Sequence, residues 1–262
     1  MLSKAKIQLI RSLEQKKFRA QHGLFVMEGD KAVRELLISS LTTEYLLAKS
    51  AWLKQLPDRL TVKANQVIEI NDRELSQISF MKTPNQAVAL TRIPEYTLDA
   101  TELSGCLSLY LNRVQDPGNL GTMIRLADWF GIRHVLCDEG CADPFHPKTV
   151  QSTMGSIIRV KTYQVDESFF QQLKNQYPDF PVYGTFLDGE NLYHAPLSSQ
   201  AVIVMGNESK GIGGEAAQYV NRRLLIPPYP PGEPASESLN VATAAAIVCA
   251  EFRRRMMTNA IH

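Results

Sequence analysis

Residues 111–128 read LNRVQDPGNLGTMIRLAD, and the fold turns on how this stretch is read. It begins at the end of an apolar run of strand length, CLSLYLN (106–112). Asp116-Pro117-Gly118 is a turn, and the residues after it pattern as a helix that is apolar round most of its circumference. A strand–turn–helix unit of this kind belongs to an α/β sheet, with the turn at the carboxyl ends of the strands, where open α/β sheets bind ligands. Asn119 stands at the helix start, able to cap it or to face a ligand. Arg125 lies mid-helix, one turn after Gly121, whose missing side chain opens a space. Burying a guanidinium without a partner is costly; the plain structural alternative is an Arg125–Asp128 pair.

Working outward, extended runs recur at RHVLC, VYGTFL, AVIVMG and RLLIP. They are almost continuously apolar, as parallel strands covered on both faces must be. Helical patterns lie between them, and a long final helix over 238–256 puts Val241, Ala244, Ala245, Val248 and Phe252 on one stripe. Upstream, SKAKIQLIRSLEQKKF reads as one amphipathic helix with Ile7, Ile10 and Leu13 inward and its basic residues outward. The strands GLFVMEG, EYLLA, QVIEI and QAVAL alternate with the helices KAVRELLIS, SAWLKQL and DRELSQI, the last opened by Asn71. Residues 1–92 are thus a small α/β domain. Residues 93–104 lack periodicity and contain Pro94, which marks a linker. Residues 105–262 form a second, larger α/β domain with a mostly parallel sheet.

The chain has 262 residues, 44% hydrophobic and 21% charged, with a formal net charge of +1, so it is no polycation. The charge is nevertheless uneven: residues 1–100 carry 15 Lys and Arg against 11 Asp and Glu. Lys4, Lys6, Arg11, Lys16, Lys17 and Arg19 face only Glu14 in the first 22 residues. A basic arm on a near-neutral body points to a polyanionic partner; the bland alternative is a solvated helix face. No stretch has the apolar core of a signal peptide or membrane length, so a cytoplasmic protein is expected. His134, Cys137, Cys141 and His146 could ligate zinc, but their spacing matches no usual arrangement, and His134 and Cys137 would point to opposite faces of a strand. No metal is expected, and the four cysteines read as reduced.

Two further segments carry chemistry. IVMGNESKGIGG (203–214) runs a buried strand into a glycine-rich polar loop. Gly206 and Gly211 have P-loop separation, but Ile212 stands where a P-loop needs Lys, and the dinucleotide fingerprint is missing too. Glu208 is the loop's one acid. LLIPPYPPGEPASESLNVATAAAIV (224–248) ends a strand at Ile226, passes through a proline-rich loop, and starts an Ala-rich helix at Ser238 and Asn240, either of which suits an N-cap. Together the three segments place Asn119, Arg125, Glu208, Ser238 and Asn240 around one end of one sheet.

In this order the segments resemble the three motifs of the SpoU (TrmH-like) branch of the SPOUT methyltransferases. Asn119 and Arg125 match the Asn-x5-Arg motif, Gly206, Glu208 and Gly211 the G-x-E-x-x-G loop, and Ile226-Pro227 with Ser238-Leu239-Asn240 the third motif. The resemblance continues through ADPFHPKTVQSTMGS and covers residues 105–257. Residues 1–92, with the Gly23–Gly29 stretch G-x-F-x-x-E-G, are similar to the small ribosomal-protein-like RNA-binding domain that often precedes the catalytic one. The resemblance implies a C-terminal trefoil knot, a homodimer, and methylation of a ribose 2′-oxygen in structured RNA from S-adenosylmethionine. Thr185, Phe186, Leu187, Met205, Gly206, Asn207, Gly211, Ile226, Pro227 and Leu239 would surround the cofactor. Arg125, Asn119, Glu208, Ser238 and Asn240 would form the catalytic set. Lys4, Lys6, Arg11, Lys16, Lys17, Arg19 and Arg113 would meet RNA. The loop between Ile226 and Ser238 is several residues longer than is usual in the family, which leaves the geometry of the cofactor loop open. Family mechanisms make the motif-one arginine the base; an arginine is effectively always protonated, so Arg125 is read as a fixed donor that stabilises developing negative charge. Ribosomal RNA of the 23S type is the expected substrate, with tRNA and a non-catalytic RNA-binding protein as alternatives.

Overall fold

The computed structural model describes residues 2–166, 168–214, 216–230, 233, 236 and 238–259. Of the lengthened proline-rich loop, residues 231, 232, 234, 235 and 237 lie outside the described residues. The chain divides into two compact units, residues 1–95 with 143–158, and residues 96–142 with 159–262.

The first unit runs α1 (Lys4–Ser12), α2 (Lys16–His22), β1 (Leu24–Glu28), α3 (Asp30–Ile38), β2 (Thr43–Ala48), α4 (Ser50–Leu53), α5 (Asp58–Thr61), β3 (Ala64–Glu69), α6 (Asp72–Ile78) and β4 (Ala87–Arg92). Its sheet has the order β1-β4-β2-β3, with β2 and β3 parallel and the other pairs antiparallel. Ile10, Leu13, Val26, Leu47, Leu75, Ile78 and Leu90 pack into its core. Asn71 and Glu74 form a capping box at the start of α6, and the Glu74 carboxylate also accepts from the Leu2 N–H. Residues 143–158 join this unit through the Phe145 ring, 5.1 Å from that of Phe25, and through Asp143.

The basic N-terminal stretch departs from the single helix expected of it, because the helix breaks after Ser12. At the break Arg19 turns inward to 2% exposure, donates to the Leu13 and Glu14 carbonyls at 2.7 and 2.8 Å, and pairs with Asp143 at 2.5 Å. Its donors take the place of the helical N–H groups those carbonyls would have met. Arg19 therefore holds the fold and, contrary to the expected RNA contact, is not available to a phosphate.

The second unit contains β5 (Leu107–Leu111), α7 (Pro117–Trp129) and β6 (His134–Cys137). After α8 (Pro147–Ser152), which belongs to the first unit, come β7 (Lys161–Gln164), α9 (Ser168–Gln176), β8 (Val182–Asn191), β9 (Ala201–Met205), α10 (Ala216–Tyr219), β10 (Arg222–Leu225) and α11 (Val241–Asn259). Its six strands have the order β10-β8-β9-β5-β6-β7 and every neighbouring pair is parallel. Within residues 96–104, Ala100–Leu103 form a 3₁₀ turn and Leu103 is fully buried. One sheet face is covered by α9, whose Phe169, Phe170 and Leu173 meet Tyr110, Leu136 and Val204. Helices α7 and α11 pack together, with Leu120, Met123, Ile124, Val248 and Phe252 buried. Each such side chain contributes about 1.5–3 kcal/mol. Arg253 of α11 donates to the Phe130 and Gly131 carbonyls at the end of α7, 2.6 and 3.1 Å away. From β5 the chain moves outward to β6 and β7, while β9, β8 and β10 lie on the other side. The order therefore reverses between β5 and β9, and the loops after those two strands flank the resulting crevice.

Candidate active site

The loop after β5 enters α7 through Asp116, whose carboxylate accepts from the Asn119 N–H at 2.8 Å, with Pro117 in the first turn. Asp116 is thus the cap, and this frees the Asn119 side chain. Its amide nitrogen donates to Glu208 Oε1 at 2.9 Å, and its amide oxygen accepts from Asn240 Nδ2 at 3.1 Å. Asn240 Oδ1 in turn accepts from the Ala242 and Thr243 N–H groups, at 3.0 and 3.2 Å, and caps α11. One chain of hydrogen bonds, from Glu208 through Asn119 and Asn240 to the N-terminus of α11, fastens all three motif segments together. Ser238 is exposed and does not take the cap.

The glycine loop after β9 closes on itself. Asn207 and Gly211 exchange N–H···O bonds of 2.9 Å in both directions. A Cβ on Gly206 would collide with the Gly211 and Ile212 backbone, and Gly211 has φ +64°, so both positions need glycine. Asn207 braces the loop further: its side-chain oxygen accepts from the Ser209 and Lys210 N–H groups, and its amide donates to the Arg113 carbonyl at 2.8 Å. Asn112, which the three motifs leave out, is 5% exposed, accepts from the Gly213 N–H and donates to Asp138. A buried polar residue directly after an apolar strand is the signal that marks it.

The residues expected around a cofactor lie along neighbouring strands and the segments after them. Thr185 and Phe186 come just after the last β8 residue paired with β9, and Leu187 is 82% exposed. Met205 ends β9 and Gly206 follows it, both buried, Ile226 and Pro227 come after β10, and Leu239 precedes α11. The Phe186 ring lies under the Arg223 guanidinium at 3.6 Å, and Arg223 pairs with Asp188 at 2.5 Å.

Arg125 stands apart from the Asn119 network. It is exposed on α7 beside Thr122 and Trp129, while Leu120, Met123, Ile124 and Ala127 are the buried side. Asp128 pairs with Arg159 at 2.7 Å, and the Arg125 side chain makes no hydrogen bond or ion pair among the described residues. It lies six residues beyond Asn119, roughly 9 Å along the helix axis and on a different side.

Three of the four zinc candidates have separate occupations, and the fourth, Cys137, is buried in β6. His134 Nδ1 lies 3.1 Å from the Tyr163 hydroxyl, His146 caps α8, and the Cys141 thiol donates to the Leu111 carbonyl. Burial lowers the pKa of both histidines. The described residues contain no group of three or more His, Cys, Asp or Glu able to hold a metal. No helix among them is long and apolar enough to cross a membrane.

Known structures with this fold give the class. A putative RNA methyltransferase of the TrmH family from Porphyromonas gingivalis superposes with a TM-score of 0.84 at 39% identity, covering 97% of this chain and 99% of that one. An AdoMet-bound rRNA methyltransferase from Sinorhizobium meliloti gives 0.85 at 28% identity, covering 98% and 97%. The class is the SPOUT RNA methyltransferases, whose cofactor is S-adenosylmethionine. Residues 106–250 match the SpoU rRNA Methylase family and residues 4–89 the MRM3-like substrate binding domain, and the chain belongs to the SpoU rRNA methylase family. The 23S rRNA (guanosine(2553)-2′-O)-methyltransferase of Bacillus subtilis is 33% identical over 93% of this chain and 94% of its own length.

Proposed function

We propose that this protein methylates a ribose 2′-hydroxyl in 23S-type ribosomal RNA, as a cytoplasmic homodimer. The observation that carries this reading is the Glu208–Asn119–Asn240 chain, which joins the three motif segments at the sheet edge where ligands bind. The substrate class is that of the B. subtilis relative, whose name specifies 23S rRNA.

The Gly206–Gly211 loop suits S-adenosylmethionine: Gly206 packs against the Gly211 and Ile212 backbone, a Cβ at Gly211 would meet open space so that its backbone is bare to a ligand, and Glu208 ties the loop through Asn119 and Asn240 to the N-terminus of α11. Gly206, Asn207 and Gly211 would hold the cofactor with Thr185–Leu187, Met205, Ile226, Pro227 and Leu239. When bound, it supplies an electrophilic methyl group on a sulfonium, a good leaving group. The chain's own task is then alignment of the ribose and stabilisation of charge as the hydroxyl loses its proton. Asn119, Ser238 and Asn240 orient the ribose, and Glu208 fixes the Asn119 amide. Arg125, always protonated, acts as a fixed donor to the developing oxyanion or an adjacent phosphate. Its position on an exposed helix face, away from its own Asn119, suits a site shared between two subunits, in which each arginine serves its partner. Lys4, Lys16 and Lys17 are exposed and suit phosphate contacts. Lys6 lies over the Tyr45 ring at 3.4 Å, and Arg11 donates to the Ser79 carbonyl, so those two are partly committed to the fold.

The test is methyl transfer from labelled S-adenosylmethionine to total ribosomal RNA and to total tRNA. Label in ribose 2′-O-methyl nucleosides of 23S-type RNA is expected; label confined to tRNA, or to bases, defeats the reading.

A further inference from the structure

On the α9 face of the second unit, at the carboxyl ends of β5, β6 and β7, lies an open cavity of about 530 Å³ that the motif residues do not use. The volume is in the range of pockets for small organic ligands. Its floor is buried and largely apolar: Tyr110, Phe170 and Ala216. Its rim is charged and exposed: Arg113, Glu139 and Asp166.

Arg113 is the telling residue. Its φ of +56° is left-handed, a conformation that the Cβ of a non-glycine residue disfavours. Two contacts hold it there: its N–H donates to Asp138 Oδ1 at 3.0 Å, and its carbonyl accepts from Asn207 at 2.8 Å. The side chain runs over Gly140, where a Cβ would come within 2.7 Å of Arg113 Cγ, towards Gly214. Its guanidinium makes no hydrogen bond or ion pair among the described residues. Strain held in place around an unspent cation is the mark of a functional position.

The acids differ in what they have left. Asp138 is spent on Asn112 and on the N–H groups of Arg113 and Gly140. Asp166 uses Oδ1 on Ser168, and Glu139 has no partner among the described residues. A ligand must therefore present an aromatic or apolar body, hydrogen-bond donors for carboxylates, and an anionic group for Arg113. An unstacked nucleotide meets all three requirements. Among the bases guanine presents two adjacent donors on one edge, which a single carboxylate can accept, whereas uracil presents one donor flanked by acceptors.

We infer that this cavity receives an unpaired guanine nucleotide of the substrate RNA, base inward and phosphate on Arg113. It is a second subsite beyond the ribose to be methylated. The inference rests on the reading of the protein as an RNA methyltransferase. Asn207 links the two places, since it clamps Arg113 and is the chain neighbour of Glu208.

The probes are guanosine and uridine 5′-monophosphates, titrated calorimetrically into the full chain with and without saturating S-adenosylmethionine. Guanosine monophosphate binds more tightly than uridine monophosphate, and the cofactor does not displace it. Arg113→Gly relieves the strained backbone while removing the cation, so the variant folds; it weakens both nucleotides about tenfold. Glu139→Gln removes the preference for guanine. Displacement by the cofactor, or unchanged binding in Arg113→Gly, overturns the assignment. Methyl transfer to ribosomal RNA is measured on the same preparation. Transfer without nucleotide binding sinks the cavity alone; no transfer sinks the reading beneath it.

Discussion

Replacing Asn240 by Asp separates the two roles of that residue. Asn240 Oδ1 caps α11 through the Ala242 and Thr243 N–H groups, and Nδ2 donates to Asn119. Alanine removes both roles, and the lost cap alone costs about 1 kcal/mol. At roughly 2–4 °C per kcal/mol for a chain of this size, Asn240→Ala should melt a few degrees lower. Aspartate keeps the cap, and its charge favours the helix N-terminus by about 0.3–1 kcal/mol, which offsets part of the lost Asn119 contact, so its melting temperature should fall less than that of Asn240→Ala. The network fares differently. Asn119 would face two carboxylates with one amide, and whichever way that amide turns, one carboxylate meets an oxygen. The loss is the neutral amide–amide hydrogen bond, with a carboxylate left facing an amide oxygen, about 1–3 kcal/mol, or roughly 5- to 150-fold in rate if the transition state bears it in full. The assay is methyl transfer to ribosomal RNA at saturating cofactor, alongside thermal unfolding. Full activity in Asn240→Asp, or a loss of stability as large as in Asn240→Ala, refutes the reasoning.

The same contacts set further outcomes. Arg19→Ala leaves Asp143 and two carbonyls without their donor and should destabilise the first unit by about 3–5 kcal/mol in urea titration; a change under about 1 kcal/mol contradicts the buried role. Gly206→Ala forces the 207–211 loop away and should lower S-adenosylmethionine affinity at least about tenfold by calorimetry; unchanged affinity would separate the loop from the cofactor. Hydrogen bonds from Arg254 and Arg255 hold the Glu251 carboxyl at about 2, below its ordinary 4.5. A depressed carboxylate stabilises the fold above its unfolded value, and that contribution disappears as pH falls through the folded one. The stability advantage of wild type over Glu251→Gln should therefore shrink between pH 4.5 and about 2; a constant gap across that window contradicts it.

Much of the second unit is legible in the sequence because its signals are local. Apolar runs mark β5, β6, β8, β9 and β10, and strand–turn–helix order is enough to put Asn119, Glu208 and Asn240 at one sheet edge. β7 escapes because KTYQ is four residues with polar ends and no apolar run. The role of Arg19 cannot be read locally, since Asp143 lies 124 residues away and the break after Ser12 depends on that side chain. The surroundings of Arg125 mislead for a related reason. Apolar Trp129 makes α7 look buried all round, yet it is 83% exposed on the same face as Arg125. Pattern alone cannot tell an apolar residue held in the core from one left on the surface.

If Arg125 stabilises charge at a ribose oxygen during methyl transfer, its loss must stop 2′-O-methylation without loosening the cofactor. The most direct measurement maps 2′-O-methyl positions in ribosomal RNA after incubation with purified wild type or Arg125→Ala, with cofactor affinity measured on both. Wild type should make a 2′-O-methyl nucleotide that is absent with the variant, at nearly equal cofactor affinity. Normal turnover by Arg125→Ala at saturating cofactor, with only its affinity reduced, would contradict that role.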